Sequence, residues 1–174
     1  EEAYLVRSVP APAARTGGTS VLGLHLLGRD RADAELSGKR LQLRLRHSEI
    51  LTLLCANPEG LTSEELSVGV YGHHAGAGSI RVEVSRLRKL LGDCIESEHY
   101  RLKCTVASDV ARVCGLLHRG EVREAAMWYT GPLLPRSDAP GVVREREALE
   151  HWLRQSVMSA GDQHALAGGH AVPA

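Results

Sequence analysis

The chain contains few aromatic side chains and no long apolar run. Only 3% of its 174 residues are aromatic and Phe is absent, so a core has to be built from aliphatic side chains, which are plentiful within a hydrophobic fraction of 43%. No window is long and apolar enough to suggest a transmembrane helix, and no signal peptide is apparent. We therefore expect a cytoplasmic protein without a membrane partner, forming one medium-sized domain or two small ones.

Neither sign of charge is in excess across the whole chain. The 21 Lys and Arg residues balance 21 Asp and Glu residues, which gives a formal net charge of zero. A neutral total neither supports nor excludes a nucleic-acid partner, because the electrostatic signature of such a protein is a local patch. Residues 79–91 form a local excess of this kind, with four cations and one acid.

The cysteine spacing excludes the common zinc motifs. The four cysteines form no Cys-x-x-Cys pair and have no zinc-finger spacing with histidine. Cys55 and Cys114 lie in apolar helical segments, which is typical of small core residues. Cys94 and Cys104 bracket a predicted hairpin and face each other across it, and in a reducing cytosol both stay thiols. We expect no metal, cofactor or catalytic residue.

The segment 79–91, SIRVEVSRLRKLL, is the most informative part of the sequence. Val84, Leu87 and Leu91 follow the i, i+3, i+7 spacing of one helical stripe, and most of the cations fall on the other side. Two helices are predicted ahead of it, and the second opens with a capping box between Thr62 and Glu65. The resulting order is helix, short helix, basic helix and hairpin.

Around this unit the sequence predicts four regions. Residues 1–20 are rich in Pro, Ala and Gly and indicate a linker or the end of a preceding domain. Residues 21–104 form the central domain, with strands predicted at 21–27 and 35–45 and a tight turn at Ser37-Gly38 within the second. Residues 105–160 form a helical extension, and 161–174 a flexible tail. Because the chain begins with Glu1 rather than methionine, we expect a fragment or a processed form.

The order of elements favours insertion of the basic helix into the major groove of double-stranded DNA. A helix fits that groove, and an Arg side chain can donate paired hydrogen bonds to guanine O6 and N7, which makes Arg86 the first candidate for a base contact. The other predicted DNA-binding residues are Arg81, Glu83 and Ser85 as further readers, Arg88 and Lys89 on phosphates, and Arg101 and Lys103 on a hairpin at 95–103 against the adjacent backbone or minor groove.

Each of these interpretations has a simpler alternative. The basic helix can be an ordinary amphipathic helix with a solvated charged face. The hairpin can serve only to close the core, with Tyr100 and Leu102 packed beneath it. Its acids Glu96 and Glu98 oppose contact with phosphates. A protein-interaction module without DNA affinity is therefore the competing function, with docking on residues 79–91 or on the helices that carry Trp128 and Trp152.

Several motifs together resemble the OmpR-like winged-helix domain. They are RHSEILTLLCANPEGLTSEEL, VYG, VEVSRLRKLLG and YRL, which lie in this order between Arg46 and Leu102. The resemblance implies an α+β fold, a winged helix-turn-helix with an N-terminal antiparallel sheet, three helices and a C-terminal hairpin. It also implies that the loop carrying His73, His74 and Ala75 contacts RNA polymerase.

The following stretch, EAAMWYTGPLLPRSDAPGVVREREALEHWL, resembles the segment after such domains in actinobacterial regulators. It is similar to part of a bacterial transcriptional activator domain, or to the tail of regulators with a GAF sensor ahead of the winged helix. The resemblance therefore implies a small α-helical extension. Trp128 and Trp152 within it are expected to anchor the core, with a homodimer or interdomain surface as the alternative.

Enzymatic function has little support in the sequence. His47, Ser48 and Glu49 have the residue types of a catalytic triad, but consecutive helical residues point in different directions and cannot form a relay. The glycine-containing loops lack Walker and Rossmann spacing. The sequence thus predicts a sequence-specific DNA-binding transcriptional regulator that is not an enzyme.

Overall fold

The computed structural model describes residues 20–72 and 77–168, with side chains up to residue 161. Within these residues a four-stranded sheet packs against six α-helices. The strands are β1 Val21–His25, β2 Asp33–Leu36, β3 Lys39–Gln42 and β4 Thr105–Ser108. The helices are α1 Leu45–Ala56, α2 Ser63–Tyr71, α3 Ala77–Leu91, α4 Asp109–His118, α5 Val122–Trp128 and α6 Pro140–Gly168, and a 3₁₀ turn at Gly92–Cys94 follows α3.

An antiparallel meander opens the fold, as the sequence predicts. The strand order is β3-β2-β1-β4, with β1–β2 and β2–β3 antiparallel. The single strand expected at 35–45 is wrong, because the chain reverses within it and forms the β2–β3 hairpin. Ser37 and Gly38 both have positive φ, 48° and 86°, as a tight two-residue hairpin turn requires. Gln42 ends β3, and residues 43 and 44 lead directly into α1.

The fourth strand was not anticipated from the sequence. β4 lies beside β1 in parallel, with Val21 opposite Thr105 and Leu24 opposite Ser108. Its four residues are too few to show a period, and their partner lies more than 80 positions away, so no local pattern could identify the pairing. As a result, the segment expected to start the helical extension contributes a strand to the sheet of the preceding domain.

The predicted C-terminal hairpin, which we call the wing (residues 95–103), is reduced to a minimal turn. A single bridge pairs Ile95 with Leu102, and the Glu96 amide donates to the Arg101 carbonyl over 2.9 Å. A second bridge joins Tyr100 to Leu61, ahead of α2. The hairpin expected over 95–103 therefore contains no regular strand, because the reversal between the two paired ends takes up most of the intervening residues.

The helix-turn-helix and the helical extension share one hydrophobic core. Residues 47–54 of α1 are all buried, since α2, α3 and α6 cover this helix. α6 also packs on α4 and α5. It continues to Gly168, beyond the end expected near 159, so part of the predicted flexible tail is helical. Residues 169–174 of that tail and the predicted linker at 1–19 lie outside the described residues.

A buried carboxylate on α1 joins the two parts. Glu49 is 2% exposed, and its Oε1 accepts a hydrogen bond from Ser137 Oγ over 2.7 Å. Its other oxygen, Oε2, lies 2.6 Å from Nη1 of Arg46, one turn away on the same helix. The Ser137 hydroxyl satisfies the carboxylate oxygen that Arg46 does not reach, so this buried hydrogen bond ties the segment carrying Ser137 to α1.

Two further polar contacts fix the extension to the sheet and to its own loop. The Asp109 carboxylate accepts the backbone amides of Leu26 and Leu27 just after β1, and also that of Val110 in its own helix. Arg146 of α6 donates to three backbone carbonyls in the loop before α6, those of Leu133, Leu134 and Ser137. The three Arg146 bonds supply hydrogen-bond donors to loop carbonyls and hold the loop against α6.

A close approach between α6 and the helix-turn-helix depends on a glycine. A Cβ added at Gly141 would lie 2.6 Å from Cδ2 of Leu53 and 3.0 Å from the carbonyl oxygen of Gly69. We expect Gly141→Ala to lower the free energy of unfolding by about 1–3 kcal/mol through overpacking. Gly161 is the control on the same helix, because nothing lies within 4 Å of its added Cβ. Gly161→Ala should be neutral or stabilising by up to about 1 kcal/mol. Urea unfolding of both variants measures the difference, and equal stabilities would contradict this packing.

Candidate nucleic-acid interface

The helix α3 is held by one face and leaves the other in solvent. Ile80, Val84, Leu87 and Leu91 are at most 2% exposed and pack into the core. The opposite side carries residues that are all exposed, namely Arg81, Val82, Ser85, Arg86, Lys89 and Leu90. We call Arg81, Val82, Ser85, Arg86 and Lys89 the exposed α3 face. Four of these five residues were predicted from the sequence as DNA contacts.

Val82 is the member of this face that the sequence-based prediction missed. Its apolar side chain is 49% exposed among the cations, one turn before Arg86 and Ser85. Because Val82 is apolar, it was not among the residues predicted to contact DNA. The signal that identifies it is its position, since Val84 and Leu87 define the buried stripe and Val82 lies off it. An apolar group here has the chemistry to contact a thymine methyl in the major groove.

Glu83 lies beneath Arg86 instead of pointing freely into solvent. Its Oε1 is 2.7 Å from Nη1 of Arg86, and its side chain is only 17% exposed, compared with 54% for that of Arg86. Its other oxygen, Oε2, lies 3.4 Å from Nε2 of His47 on α1. The predicted base reader Glu83 thus pairs with Arg86 on one side and packs against His47 on the other.

His47 is a buried histidine behind this pair. It is 4% exposed, and neither ring nitrogen makes a hydrogen bond of good geometry within the part of the chain that the structure describes. Burial lowers its pKa below 6.5; the neighbouring Glu83 carboxylate opposes that shift, and the Arg44 and Arg86 cations reinforce it. The imidazole is therefore neutral near pH 7.

The remaining residues predicted to contact DNA differ in their exposure and in their ion pairing. Lys89 is fully on the exposed side, whereas Arg88 is half-buried at the edge of the core. In the wing, Arg101 is exposed but pairs with Glu96, whose Oε2 lies 2.7 Å from Nη2 and 3.0 Å from Nε. Lys103 is exposed beside it.

The wing also closes the core, as the simpler interpretation proposed. Tyr100 is buried, and its hydroxyl oxygen accepts a hydrogen bond from Ser63 Oγ over 3.2 Å. Leu102 is half-buried against the core cluster. The capping box between Thr62 and Glu65 is confirmed and places an acidic first turn at the start of α2. The acids at this helix terminus disfavour contact with DNA phosphates there.

The predicted polymerase-contact residues His73, His74 and Ala75 lie outside the described residues. The consecutive residues His47, Ser48 and Glu49 contact three separate partners: Glu83, the backbone around α1 and β2, and Ser137 with Arg46. They form no relay. Among the described residues, no three His, Cys, Asp or Glu side chains are placed to hold a metal ion. No helix in the described ranges has the length and apolarity needed to cross a bilayer.

Comparison with known proteins supports the fold. No protein-family model matches the chain. Over 145 residues it is 37% identical to an uncharacterized 47.3 kDa protein in the thcA 5′ region of Rhodococcus erythropolis, which covers 83% of this chain and 33% of that protein. It is also similar to the structure of Mycobacterium tuberculosis EmbR in complex with a low-affinity phosphopeptide, with a TM-score of 0.51 and 19% identity over 83% of this chain and 44% of the EmbR chain. The likeness shows a winged-helix-like fold similar to that of EmbR, and the chain spans less than half of either protein.

The burial of His47 predicts a specific pH dependence of stability. The pKa of His47 is lower in the folded state, so as the pH falls below 6.5 the unfolded chain binds a proton on His47 before the folded chain does. The contribution of His47 to the free energy of unfolding is therefore at its highest above the unfolded pKa of 6.5. It decreases as the pH falls from 6.5 to the folded pKa, and it does not change further below the folded pKa. We expect His47→Gln to remove this part of the slope in urea unfolding measured across that window. His25→Gln, at an exposed position on β1, is the control and should keep it. An unchanged slope in His47→Gln would contradict the burial.

Proposed function

We propose that this chain is the DNA-binding part of a transcription regulator and inserts α3 into the major groove of double-stranded DNA. The observation that supports this most strongly is the exposed α3 face. It presents cations and a short hydroxyl side chain from a helix whose other side is locked in the core of a winged-helix-like fold. A helix of this width enters the major groove, where each base pair has a distinct pattern of donors and acceptors.

The roles of the residues follow from their positions. Arg86 donates paired hydrogen bonds to guanine, and Arg81, Ser85 and Val82 contact neighbouring base edges. Lys89 lies toward the C-terminal end of α3 and neutralises a phosphate, with Arg88 contributing from the edge of the core. Arg101 and Lys103 of the wing lie against the adjacent backbone or minor groove.

In this proposal the bound protein recruits or blocks RNA polymerase. The loop that would touch the polymerase, with His73, His74 and Ala75, stays a prediction from the family resemblance. The same holds for a homodimer and for the regulator's sensor domain.

A protein-interaction module without DNA affinity is the second candidate. Two ion pairs favour it, because Arg86 and Arg101 are each engaged by a glutamate of the same chain. Pairing of this kind weakens the attraction of both cations for phosphates. This candidate predicts that the exposed α3 face docks on a protein partner. It also predicts that the chain does not bind duplex DNA at any salt concentration.

The first prediction concerns Arg86. Selection from pooled random duplex DNA, followed by sequencing, should enrich a defined motif with the wild-type chain. On that site Arg86→Ala should cost about 1–3 kcal/mol and relax a single base position. The matched control is Arg119→Ala, since Arg119 is similarly exposed at 59% and similarly paired, 2.6 Å from Glu121, but lies in the extension. A variant that keeps the full motif would contradict the base contact, and absence of any enrichment at low salt would favour the second candidate.

The second prediction separates phosphate contacts from base contacts. Lys89→Ala should weaken binding to all sequences alike and reduce the slope of log K against log salt by about one. Affinities for the selected site and for a scrambled duplex, measured at several salt concentrations, provide both quantities. A loss confined to the selected site would instead make Lys89 a base reader.

A further inference from the structure

Glu83 occupies an unusual place for a residue on a DNA-binding helix. Its two carboxylate oxygens face in different directions, one to the exposed guanidinium of Arg86 and the other to the buried imidazole of His47. The side chain itself is largely covered. The geometry therefore connects the core of the helix-turn-helix, through a single carboxylate, to the first candidate for a base contact.

We infer, on the basis of the proposed function, that Glu83 is a positioning residue for DNA recognition. It holds the Arg86 guanidinium in one pose on α3. The buried imidazole of His47, whose Nε2 lies 3.4 Å from Oε2 without a hydrogen bond, limits by packing where the Glu83 carboxylate can move. This role replaces that of a direct base reader, for which Glu83 would have to leave both neighbours.

The pairing leaves Arg86 able to bind a base. A guanidinium carries five N–H donors, and only Nη1 is engaged by Glu83 in this structure. Nε and Nη2 remain for the two acceptors of a guanine, which is the geometry that paired recognition needs. Holding a long flexible side chain in advance lowers the conformational entropy that binding would otherwise cost.

The same contact reduces indiscriminate binding. A carboxylate 2.7 Å from Arg86 offsets its charge and weakens its attraction for any phosphate, which is the main source of non-specific affinity. Pre-organisation favours the correct site, and charge compensation disfavours all the others. Both effects raise the ratio of specific to non-specific binding.

The Glu83 pair differs from the other exposed Glu–Arg pairs in having a buried third member. Arg101 pairs with Glu96 and Arg119 with Glu121, and in both pairs the glutamate is more than a third exposed. Such pairs are typical surface contacts with little effect on conformation. Glu83 instead rests against α1, where the core holds His47 in place.

The charged groups that face His47 determine how its protonation would affect the Glu83–Arg86 pair. They are Glu83 and Arg86 from α3 and Arg44 immediately before α1. A protonated imidazole would attract the Glu83 carboxylate and compete with Arg86 for it. Discrimination by the wild type should therefore decline at acidic pH, and less so in His47→Gln.

The decisive experiment compares Glu83→Gln with Glu121→Gln, which removes the same charge from an Arg pair in the extension. Affinities are measured for the selected site and for a scrambled duplex of equal length. For Glu83→Gln we expect tighter binding to the scrambled duplex and a specificity ratio about tenfold lower, within the range that one base contact supplies. Glu121→Gln should keep the wild-type ratio. A ratio unchanged in Glu83→Gln would overturn the positioning role.

A second measurement requires no DNA. Since the Glu83 carboxylate raises the pKa of His47, an NMR titration of the His47 ring should show a lower pKa in Glu83→Gln than in the wild type, and no change in Glu121→Gln. An unaltered titration would overturn the contact itself. If Glu83→Gln does not fold, the test uses His47→Gln. We expect its specificity ratio to fall by less than the roughly tenfold expected for Glu83→Gln. An unchanged ratio in His47→Gln would then overturn the positioning role.

The outcomes separate the two proposals. If the wild type enriches no motif, the proposed function fails and the positioning role fails with it. If the wild type enriches a motif that Arg86→Ala loses but Glu83→Gln retains in full, the regulator is supported and only the positioning role is wrong.

Discussion

The buried carboxylate of Glu49 is the constraint on which the arrangement of the helices depends. A charge at 2% exposure has to be paired, and its two oxygens are satisfied by Arg46 on the same helix and by Ser137 far along the chain. The bond to that second partner ties the loop before α6 to α1. α6 then covers α1 and α2, with Gly141 permitting the close contact, and α1 becomes a central helix against which α3 is held.

In the proposed function, a chain with a formal net charge of zero has to present its cations as a local patch. The exposed α3 face collects cations on one side of a helix whose other side is fixed, and Glu83 lies beneath one of them, Arg86. In the wing, Glu96 pairs with Arg101 in the same way. Such compensation lowers affinity for phosphates in general, so selectivity has to come from the placement of individual donors. The proposed function and the proposed role of Glu83 are two aspects of this distribution.

Local signals in the sequence identified much of the fold. The capping box at Thr62 forms as expected, because a cap depends only on neighbouring residues. The turn at Ser37-Gly38 was recognised, although the strand around it was drawn too long. β4 was missed because its partner β1 is distant in sequence and a four-residue strand carries no periodicity of its own. The wing was drawn too regular because the reversal between Ile95 and Leu102 takes up most of its residues.

The sequence by itself determined the helical stripe of α3, the chain order of the helices and the set of cations that can reach solvent, since these depend on spacing along one element. It also placed Glu83 three residues before Arg86, within reach of an ion pair. Only the tertiary structure decided that His47 lies behind Glu83, that Val82 joins the exposed face and that Arg101 is compensated. Burial and the electrostatic environment arise from packing between elements, and an isolated helix has neither.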